Sequence, residues 1–224
     1  MKPVEDSRPF MVYSFDERRH DFAAMFSNKL GGRLEELHKN YVMPLLSPEY
    51  NRTLVEGKED IPEIQRSAYA LMRSPGFQES YQAFLREYVA PLFAEELLFQ
   101  AVPSAKFHFP GNRGTPEFHR DSDFGHPREE VNIWIPLTRV EPGSTLWIEH
   151  EDSHVPVLIE TDQFILFHGS IREHGSHISD SNKTRVSIDA RVLRVRDCEA
   201  VAEGKQSEIT GTRFAAGEYY ERLR

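Results

Sequence analysis

TRVSIDARVLRV, at residues 184–195, shows the clearest strand pattern in this 224-residue chain. Apolar and polar side chains alternate along it, with Val186, Ile188, Ala190 and Val192 set between Arg185, Ser187, Asp189 and Arg191. Because successive side chains of a β-strand point to opposite faces, the segment predicts a strand with one apolar and one polar face. We expect the apolar face to pack on helices and the polar face to point the other way.

Similar short strands are predicted on the N-terminal side of this segment. The stretch EVNIWIPL, at 130–137, alternates in the same way, with Asn132 and Trp134 on the face opposite to its aliphatic residues. Proline and glycine separate the predicted strands from one another, as is typical of β-rich domains. The predicted strands are 104–109, 130–137, 144–149, 155–159, 162–168 and 184–194.

Residues before 103 show helical spacing instead. Apolar residues recur every three or four positions over 22–30 and 34–41, and a longer helix is predicted over 77–100, kinked or divided at Pro91. Residues 44–62 are predicted to form a loop. Helices followed by short strands predict one α+β domain over 1–224, in which the strands form a double-sheet barrel or jelly roll. Its expected parts are a mostly helical front (1–102), the barrel core (103–194) and a C-terminal extension (195–224).

Composition excludes several classes of protein. The chain has 27 Lys and Arg against 36 Asp and Glu, and a net charge of −9 disfavours nucleic acid as the main partner. One cysteine, Cys198, cannot form an intrachain disulfide, and the N-terminal MKPVEDSRPF lacks the apolar run of a signal peptide. The most apolar stretch, 89–102, is too short and too charged to span a membrane. We therefore expect a cytoplasmic protein without a membrane partner.

A metal site is predicted at EFHRDSDF, residues 117–124. In extended backbone His119 and Asp121 point to the same side, so an imidazole and a carboxylate can reach one ion. The later segment FHGSIREHGSH, at 167–177, offers a third ligand. Two His and one carboxylate leave one face of an octahedron open, which is the ligand set of non-haem Fe(II) oxygenases. A His-x-Asp pair alone also occurs by chance in many chains.

Arg185 and Ser187 strengthen this interpretation because they share the polar face of the predicted strand. A guanidinium can donate two parallel hydrogen bonds to a carboxylate, and a hydroxyl two residues further on can donate a third. Arg185 lies eleven residues after His174. The Arg-x-Ser pair therefore predicts a receptor for the distal carboxylate of a dicarboxylate next to the metal.

These motifs resemble those of Fe(II)/2-oxoglutarate-dependent oxygenases of the phytanoyl-CoA hydroxylase-like superfamily. The similar text is HRDSDFGHPREEVNIWIPLT (119–138) and HGSHISDSNKTRVSIDARV (174–192), with a weaker similarity in GEYYERL (217–223). Within that superfamily the chain looks most similar to streptomycin-biosynthesis oxygenases and to hydroxylase relatives of freestanding amino-acid halogenases. Relatives usually have an asparagine in the loop before the arginine, whereas here it is displaced to Asn182.

The resemblance implies a double-stranded β-helix with the site inside the barrel. It implies Fe(II), 2-oxoglutarate and O₂ as reagents, and succinate and CO₂ as coproducts. The implied metal ligands are His119, Asp121 and His174, with Arg185 and Ser187 anchoring 2-oxoglutarate; His168 and His177 fit the spacing to the arginine less well. Halogenating relatives have a small residue in place of the carboxylate, so Asp121 favours hydroxylation.

Other polar residues are candidates for the pocket. Asn132 is predicted to donate to 2-oxoglutarate and Trp134 to line the pocket, although a backbone-satisfying Asn and a core Trp would give the same pattern. The remaining candidates for substrate or cosubstrate contacts are Lys106, His108, Arg120, Asp123 and His126. Each of these charged or polar groups could equally be a solvated surface residue.

Two other classes of function stay open at this point. A cupin-like isomerase or lyase with Zn or Mn would also hold His ligands in a small barrel, but it leaves Arg185 and Ser187 unexplained. A non-catalytic binding domain of the same fold commonly loses a ligand or the arginine. We expect an oxygenase that hydroxylates an unactivated C–H bond of a small polar metabolite: an amino acid, an aminocyclitol or sugar, or a natural-product intermediate. Desaturation and cyclisation would use the same site.

Overall fold

The computed structural model describes residues 4, 7–42, 62–113, 117–197, 206–208 and 211–223. The strands in these ranges are β1 (Met11–Ser14), β2 (Leu97–Gln100), β3 (Ser104–His108), β4 (Val131–Pro136), β5 (Trp147–His150), β6 (Ser153–Pro156), β7 (Gln163–Phe167), β8 (His174–Gly175), β9 (Arg185–Arg194) and β10 (Tyr220–Arg222). The α-helices are α1 (Phe22–Leu30), α2 (Glu63–Met72) and α3 (Pro75–Phe84).

The strands form two antiparallel sheets. The larger sheet has the strand order β1-β7-β4-β9-β2-β10, and β3 also pairs with β9. The smaller sheet has the order β6-β5-β8. On one side, β9 pairs first with β3, in the register Ser104↔Asp189, and then with β2, in the register Leu97↔Arg194. On its other side it pairs with β4. The strand with the clearest alternation is therefore the central strand of the larger sheet.

Alternation along these strands separates two interiors. The apolar face of β9 belongs to a core that the larger sheet shares with α1, α2 and α3. In that core the ring of Phe84, the last residue of α3, lies 5.2 Å from the ring of Phe164 in β7. On the opposite face, Trp134 and Phe167 pack with Ile148 of the smaller sheet. The polar residues of β9 lie on this second face, where the candidate site is found.

Helix α1 begins and ends as its sequence indicates. The Asp21 carboxylate accepts a hydrogen bond of 2.8 Å from the Ala24 amide, which satisfies one of the free N–H groups of the first turn. Gly31 follows the helix at φ 75°, a left-handed conformation that glycine adopts without a steric cost. Within the described ranges, no helix combines the length and apolar character that a membrane crossing requires.

The helix predicted over 77–100 is wrong in its second half. Helix α3 ends at Phe84, a π-helical turn covers Leu85–Val89, and a 3-10 turn at Ala90–Leu92 leads to strand β2. Pro91 lies in that turn and has no amide hydrogen, so the helical hydrogen bonds cannot continue through it. Strand β2 is wholly buried, and a short apolar run has no period that distinguishes strand from helix.

Smaller differences concern strand ends and the flanking parts of the chain. The strands predicted at 144–149 and 155–159 lie at Trp147–His150 and Ser153–Pro156, because a 3-10 turn occupies Pro142–Ser144. Strands β1 and β10, which pair with β7 and β2, were not predicted. They come from the front and the C-terminal extension, so neither part is purely peripheral to the larger sheet. The loop predicted over 44–62, apart from Pro62, and Cys198 lie outside the described residues.

Substitution of Phe84 tests the contact between the helices and the larger sheet. Phe84 is fully buried, and Phe84→Ala should lower the free energy of unfolding by about 3–5 kcal/mol, as expected for a core Phe. Val12 in β1 is 42% exposed, and Val12→Ala should change stability by less than about 0.5 kcal/mol. Urea unfolding of both variants measures the difference. A loss of under about 1 kcal/mol for Phe84→Ala would contradict this packing.

Candidate active site

The structure brings His119, Asp121 and His174 together. Each contributes one potential ligand atom, and these atoms lie within 4.8 Å of one another. Backbone hydrogen bonds of 3.0 and 2.9 Å join His119 and His174 in an antiparallel bridge, and the Asp121 amide donates to the Gly169 carbonyl at 2.9 Å. A Cβ on Gly175 would lie 2.8 Å from the Phe118 Cα, so this close approach requires glycine.

Hydrogen bonds orient both imidazoles toward the carboxylate. His119 Nδ1 lies 2.7 Å from the Glu117 carbonyl oxygen, and His174 Nδ1 lies 3.0 Å from the Arg172 carbonyl oxygen. Because a carbonyl only accepts, both Nδ1 atoms must donate, which leaves the Nε2 lone pairs of the neutral rings free. These Nε2 atoms lie 3.3 and 3.6 Å from Asp121 Oδ1. Burial lowers the pKa of His174 to about 4, so this ring is neutral at pH 7.

Asp121 is buried and paired with an arginine. Burial by itself raises the pKa of this carboxyl group, but the Arg191 guanidinium and His119 outweigh burial and hold the pKa well below its ordinary value. Asp121 Oδ2 accepts hydrogen bonds from Arg191 Nε at 3.1 Å, Arg191 Nη2 at 3.0 Å and Asn132 Nδ2 at 2.7 Å. The carboxylate is therefore ionised, and its Oδ1 faces the two imidazoles.

Arg185 forms a second cluster of buried donors. Its guanidinium donates to the Ser144 carbonyl at 2.9 Å, to Ser187 Oγ at 2.7 Å and to Ser176 Oγ at 3.1 Å. All three partners are uncharged, and among the described residues no carboxylate lies within ion-pair distance of Arg185. Burial lowers the pKa of Arg185 to about 10, so the group stays charged at pH 7. A buried cation without an anion is a receptor for an anionic ligand.

His108 completes this cluster. Burial, together with the neighbouring Arg185 charge, lowers the pKa of His108 to about 4, so the ring is neutral at pH 7. Its Nε2 lies 2.9 Å from the Asn112 carbonyl oxygen and must donate to it. Its Nδ1 is then an acceptor, 3.4 Å from Arg185 Nη2. His108 therefore orients the guanidinium and adds no charge.

The two clusters are adjacent because Ser176 follows His174 by two residues. Residues two apart in extended backbone point to the same side and are separated by about 7 Å. Ser176 bonds to Arg185, and His174 faces Asp121. The anion receptor and the potential metal ligands thus lie about the length of a short dicarboxylate apart.

Two further polar groups of this interior have no partner. Lys106 of β3, whose Cα pairs with that of Ser187, makes no hydrogen bond or ion pair with the described residues. Burial lowers its pKa despite the opposing charge of Asp189. Asp189 Oδ1 is also buried without a hydrogen-bond partner, although Asp189 Oδ2 accepts from Arg191 Nη2 at 3.1 Å. Unpaired groups of both signs therefore line the interior.

The structure gives other predicted pocket residues different partners. Asn132 does not face Arg185: it donates to Asp121 Oδ2 and accepts from the Gly169 amide at 3.1 Å. Arg120 donates two hydrogen bonds of 2.8 Å to Glu149, and Asp123 caps the Arg120 amide at 2.9 Å. Trp134 is buried, with its ring centroid 5.7 Å from Arg185 Cζ. Arg120 and Asp123 thus stabilise the turn after His119.

His126 and the alternative distal histidines lie outside the ligand cluster. His126 Nδ1 is 2.8 Å from Glu130 Oε2, and its ring contacts Phe214 with a centroid separation of 4.3 Å. His168 Nδ1 is 3.1 Å from the Glu130 carbonyl oxygen. His177 is exposed and packs against the rings of Phe118 and Trp147. Only His174 of the three downstream histidines is grouped with His119 and Asp121.

Sequence reasoning missed several residues of this site. Arg191 was placed on the polar face of β9 without a role, and its position six residues after Arg185 on that face was the available signal. Glu130 is fully buried beneath it and accepts a hydrogen bond from the hydroxyl of Tyr220 in β10. The Ser144 carbonyl and Ser176 Oγ, which hold Arg185, carry no sequence signal because a turn and a short strand position them.

Comparison with known proteins supports the resemblance seen in the sequence. No family model matches the chain. The streptomycin biosynthesis protein StrG of Streptomyces griseus is 35% identical over 127 residues, which are 57% of this chain and 61% of StrG. The similarity to a streptomycin-biosynthesis protein is thus confirmed, over less than two thirds of that relative.

Solved structures show the fold. The non-haem α-ketoglutarate-dependent carbocyclase SnoK, from nogalamycin biosynthesis, superposes with a TM-score of 0.57 at 12% identity, covering 97% of this chain and 93% of SnoK. The non-haem monooxygenase ThoJ gives a TM-score of 0.49 at 14% identity, covering 84% of this chain and 75% of ThoJ. The chain therefore has the double-stranded β-helix fold that SnoK has.

The hydrogen bond between Tyr220 and Glu130 provides a test of this buried network. Tyr220→Phe leaves a fully buried carboxylate oxygen without its donor, and should lower the free energy of unfolding by about 1–3 kcal/mol. Tyr69 in α2 is the control, because its hydroxyl makes no hydrogen bond with the described residues, and Tyr69→Phe should change stability by less than about 0.5 kcal/mol. Equal stability of the two variants in denaturant titration would contradict the network.

Proposed function

We propose that this chain is an Fe(II)/2-oxoglutarate-dependent oxygenase that hydroxylates a small polar metabolite. The observation that carries the proposal is the buried Arg185, which has only uncharged partners and lies beside two histidines and a carboxylate. A metal site alone fits many functions. A metal site with an adjacent anion receptor fits a metal that works with a dicarboxylate.

The residues present fit a divalent iron. Two Nε2 lone pairs and an ionised carboxylate oxygen converge within 4.8 Å, and this arrangement of three electron donors calls for a cation among them. Nitrogen and carboxylate ligands suit Fe(II), and three protein ligands leave positions for other groups. The proposed ligands are His119, Asp121 and His174. Bound iron, with 2-oxoglutarate and O₂, would supply the oxidising power for C–H chemistry.

The chain's own residues bind and orient the reactants. Arg185 and Ser187 are proposed to hold the distal carboxylate of 2-oxoglutarate, and Ser176 to orient Arg185 from the strand that carries His174. His108 keeps the guanidinium in place as a neutral acceptor. The backbone carbonyls of Glu117 and Arg172 fix the two imidazoles. Such fixed dipoles need no rearrangement during the reaction, which is the protein's contribution to the rate.

Unpaired polar groups in the same interior support a polar substrate. Lys106 and Asp189 Oδ1 lack partners among the described residues, and leaving such groups unpaired costs free energy that a ligand can recover. Lys106 is proposed to contact 2-oxoglutarate or the substrate. The presence of Asp121 as a ligand supports hydroxylation as the outcome, although SnoK, which shares the fold, is a carbocyclase.

Visible absorption of the anaerobic protein tests the proposal. Fe(II) and 2-oxoglutarate added together should produce a weak metal-to-ligand charge-transfer band, and neither should produce it alone. His174→Ala should abolish the band because one of three ligands is lost. His168→Ala is the matched control and should keep it, since His168 lies outside the cluster. Iron binding without a band would exclude 2-oxoglutarate as the cosubstrate.

Substitution of Arg185 tests the anion receptor separately from the metal. Arg185→Gln removes the charge and should raise the Kd for 2-oxoglutarate at least about tenfold, because a charge-assisted hydrogen bond contributes about 1.5–3 kcal/mol. Iron affinity should stay within about twofold, since Arg185 does not contact the ligand cluster. Arg139→Gln, at an exposed position, is the control. Titration of the charge-transfer band gives each Kd, and an unchanged Kd would contradict the role of Arg185.

A further inference from the structure

We infer that Arg191 occupies the second oxygen of Asp121, so that this carboxylate can give a metal only one ligand atom and one coordination position stays open for O₂. The inference rests on the proposed function and adds a positioning residue to it. Arg191 reaches the metal only through Asp121. Its proposed role is to set how many positions the protein fills.

The hydrogen bonds of Asp121 are unequally divided between its two oxygens. Oδ2 accepts three hydrogen bonds, of 2.7 Å from Asn132 and of 3.1 and 3.0 Å from Arg191. A carboxylate oxygen has about two lone-pair sites, so three donors leave none for a metal. Oδ1 faces the Nε2 atoms of His119 and His174 at 3.3 and 3.6 Å. The orientation of the group thus reserves one oxygen for each purpose.

Arg191 is itself fixed on its remaining sides. Its Nη2 donates to Asp189 Oδ2 at 3.1 Å, and its Nη1 donates to Gln100 Oε1 at 3.3 Å. Glu130 Oε2 lies 3.9 Å from its Nε, and the Tyr220 hydroxyl and His126 hold that carboxylate in turn. A guanidinium restrained by four acidic or amide groups cannot rotate away from Asp121. Simple neutralisation of Asp121 would not need this restraint.

The count of coordination positions gives the restraint a function. Two imidazoles and one carboxylate oxygen fill three of six positions, and a chelating 2-oxo acid fills two more. One position is then left for O₂. If Asp121 gave both oxygens, the protein and cosubstrate would fill all six positions. The inference therefore predicts that loss of Arg191 closes the open position while metal and 2-oxoglutarate still bind.

Nitric oxide provides the test, because it binds Fe(II) at an open position and gives a distinct electron paramagnetic resonance signal without turnover. The protein, loaded with Fe(II) and 2-oxoglutarate under anaerobic conditions, is titrated with nitric oxide. Arg191→Ala should bind nitric oxide at least about tenfold more weakly than the unmodified protein, the usual size of an effect beyond the ligands. Added methylguanidinium should restore binding. Arg194→Ala, on the same strand outside the site, should match the unmodified protein.

Three results would overturn the inference or its basis. Nitric oxide binding by Arg191→Ala at the unmodified affinity, with the charge-transfer band intact, overturns the role of Arg191. Should Arg191→Ala fail to bind iron, Arg191→Lys decides: one ammonium donor leaves lone pairs of Oδ2 free, so unchanged nitric oxide affinity again overturns the inference and weaker binding supports it. Absence of the charge-transfer band from the unmodified protein instead removes the proposed function, and the inference with it.

Discussion

An ionised carboxylate at the centre of a folded domain is stable only when it is paired, and the site is built around that requirement. An unpaired buried charge costs several kcal/mol, whereas Asp121 is matched by Arg191 and by the amide of Asn132. Both partners come from the central strands β9 and β4 of the larger sheet. The position of the metal ligands thus depends on the register of two strands that also form the core beneath the helices.

Strand β9 serves both interiors through its alternation. Its apolar residues are fully buried against the helices, and its polar residues carry Arg185 to the anion receptor and Arg191 to the metal carboxylate. A shift of register by one residue would put both guanidinium groups into the apolar core. The packing of the helices therefore holds the polar face in register, although no helix residue contacts the ligand cluster through the bonds described above.

The sequence was most informative where one strand carries the information. The period of β9 predicted which residues face inward, and the spacing within His-x-Asp predicted two side chains on one side of the backbone. Its limits appeared where distant segments meet. Asn132 was expected at the cosubstrate and instead holds Asp121, because the approach of Gly169 to β4 is not encoded in a local period. The role of Glu130 depends on Tyr220, ninety residues away in the chain.

The buried Arg185 also separates the oxygenase from the other functions that the sequence left open. A cupin-like isomerase or a simple binding domain would need the metal cluster or the barrel, but neither would need a charged guanidinium held by three uncharged partners at a cost in stability. Keeping a cation buried without an anion stabilises the folded chain less than an apolar residue of similar size would. Such an arrangement is explained when an anionic reactant completes it, about 7 Å along β8 from a metal ligand.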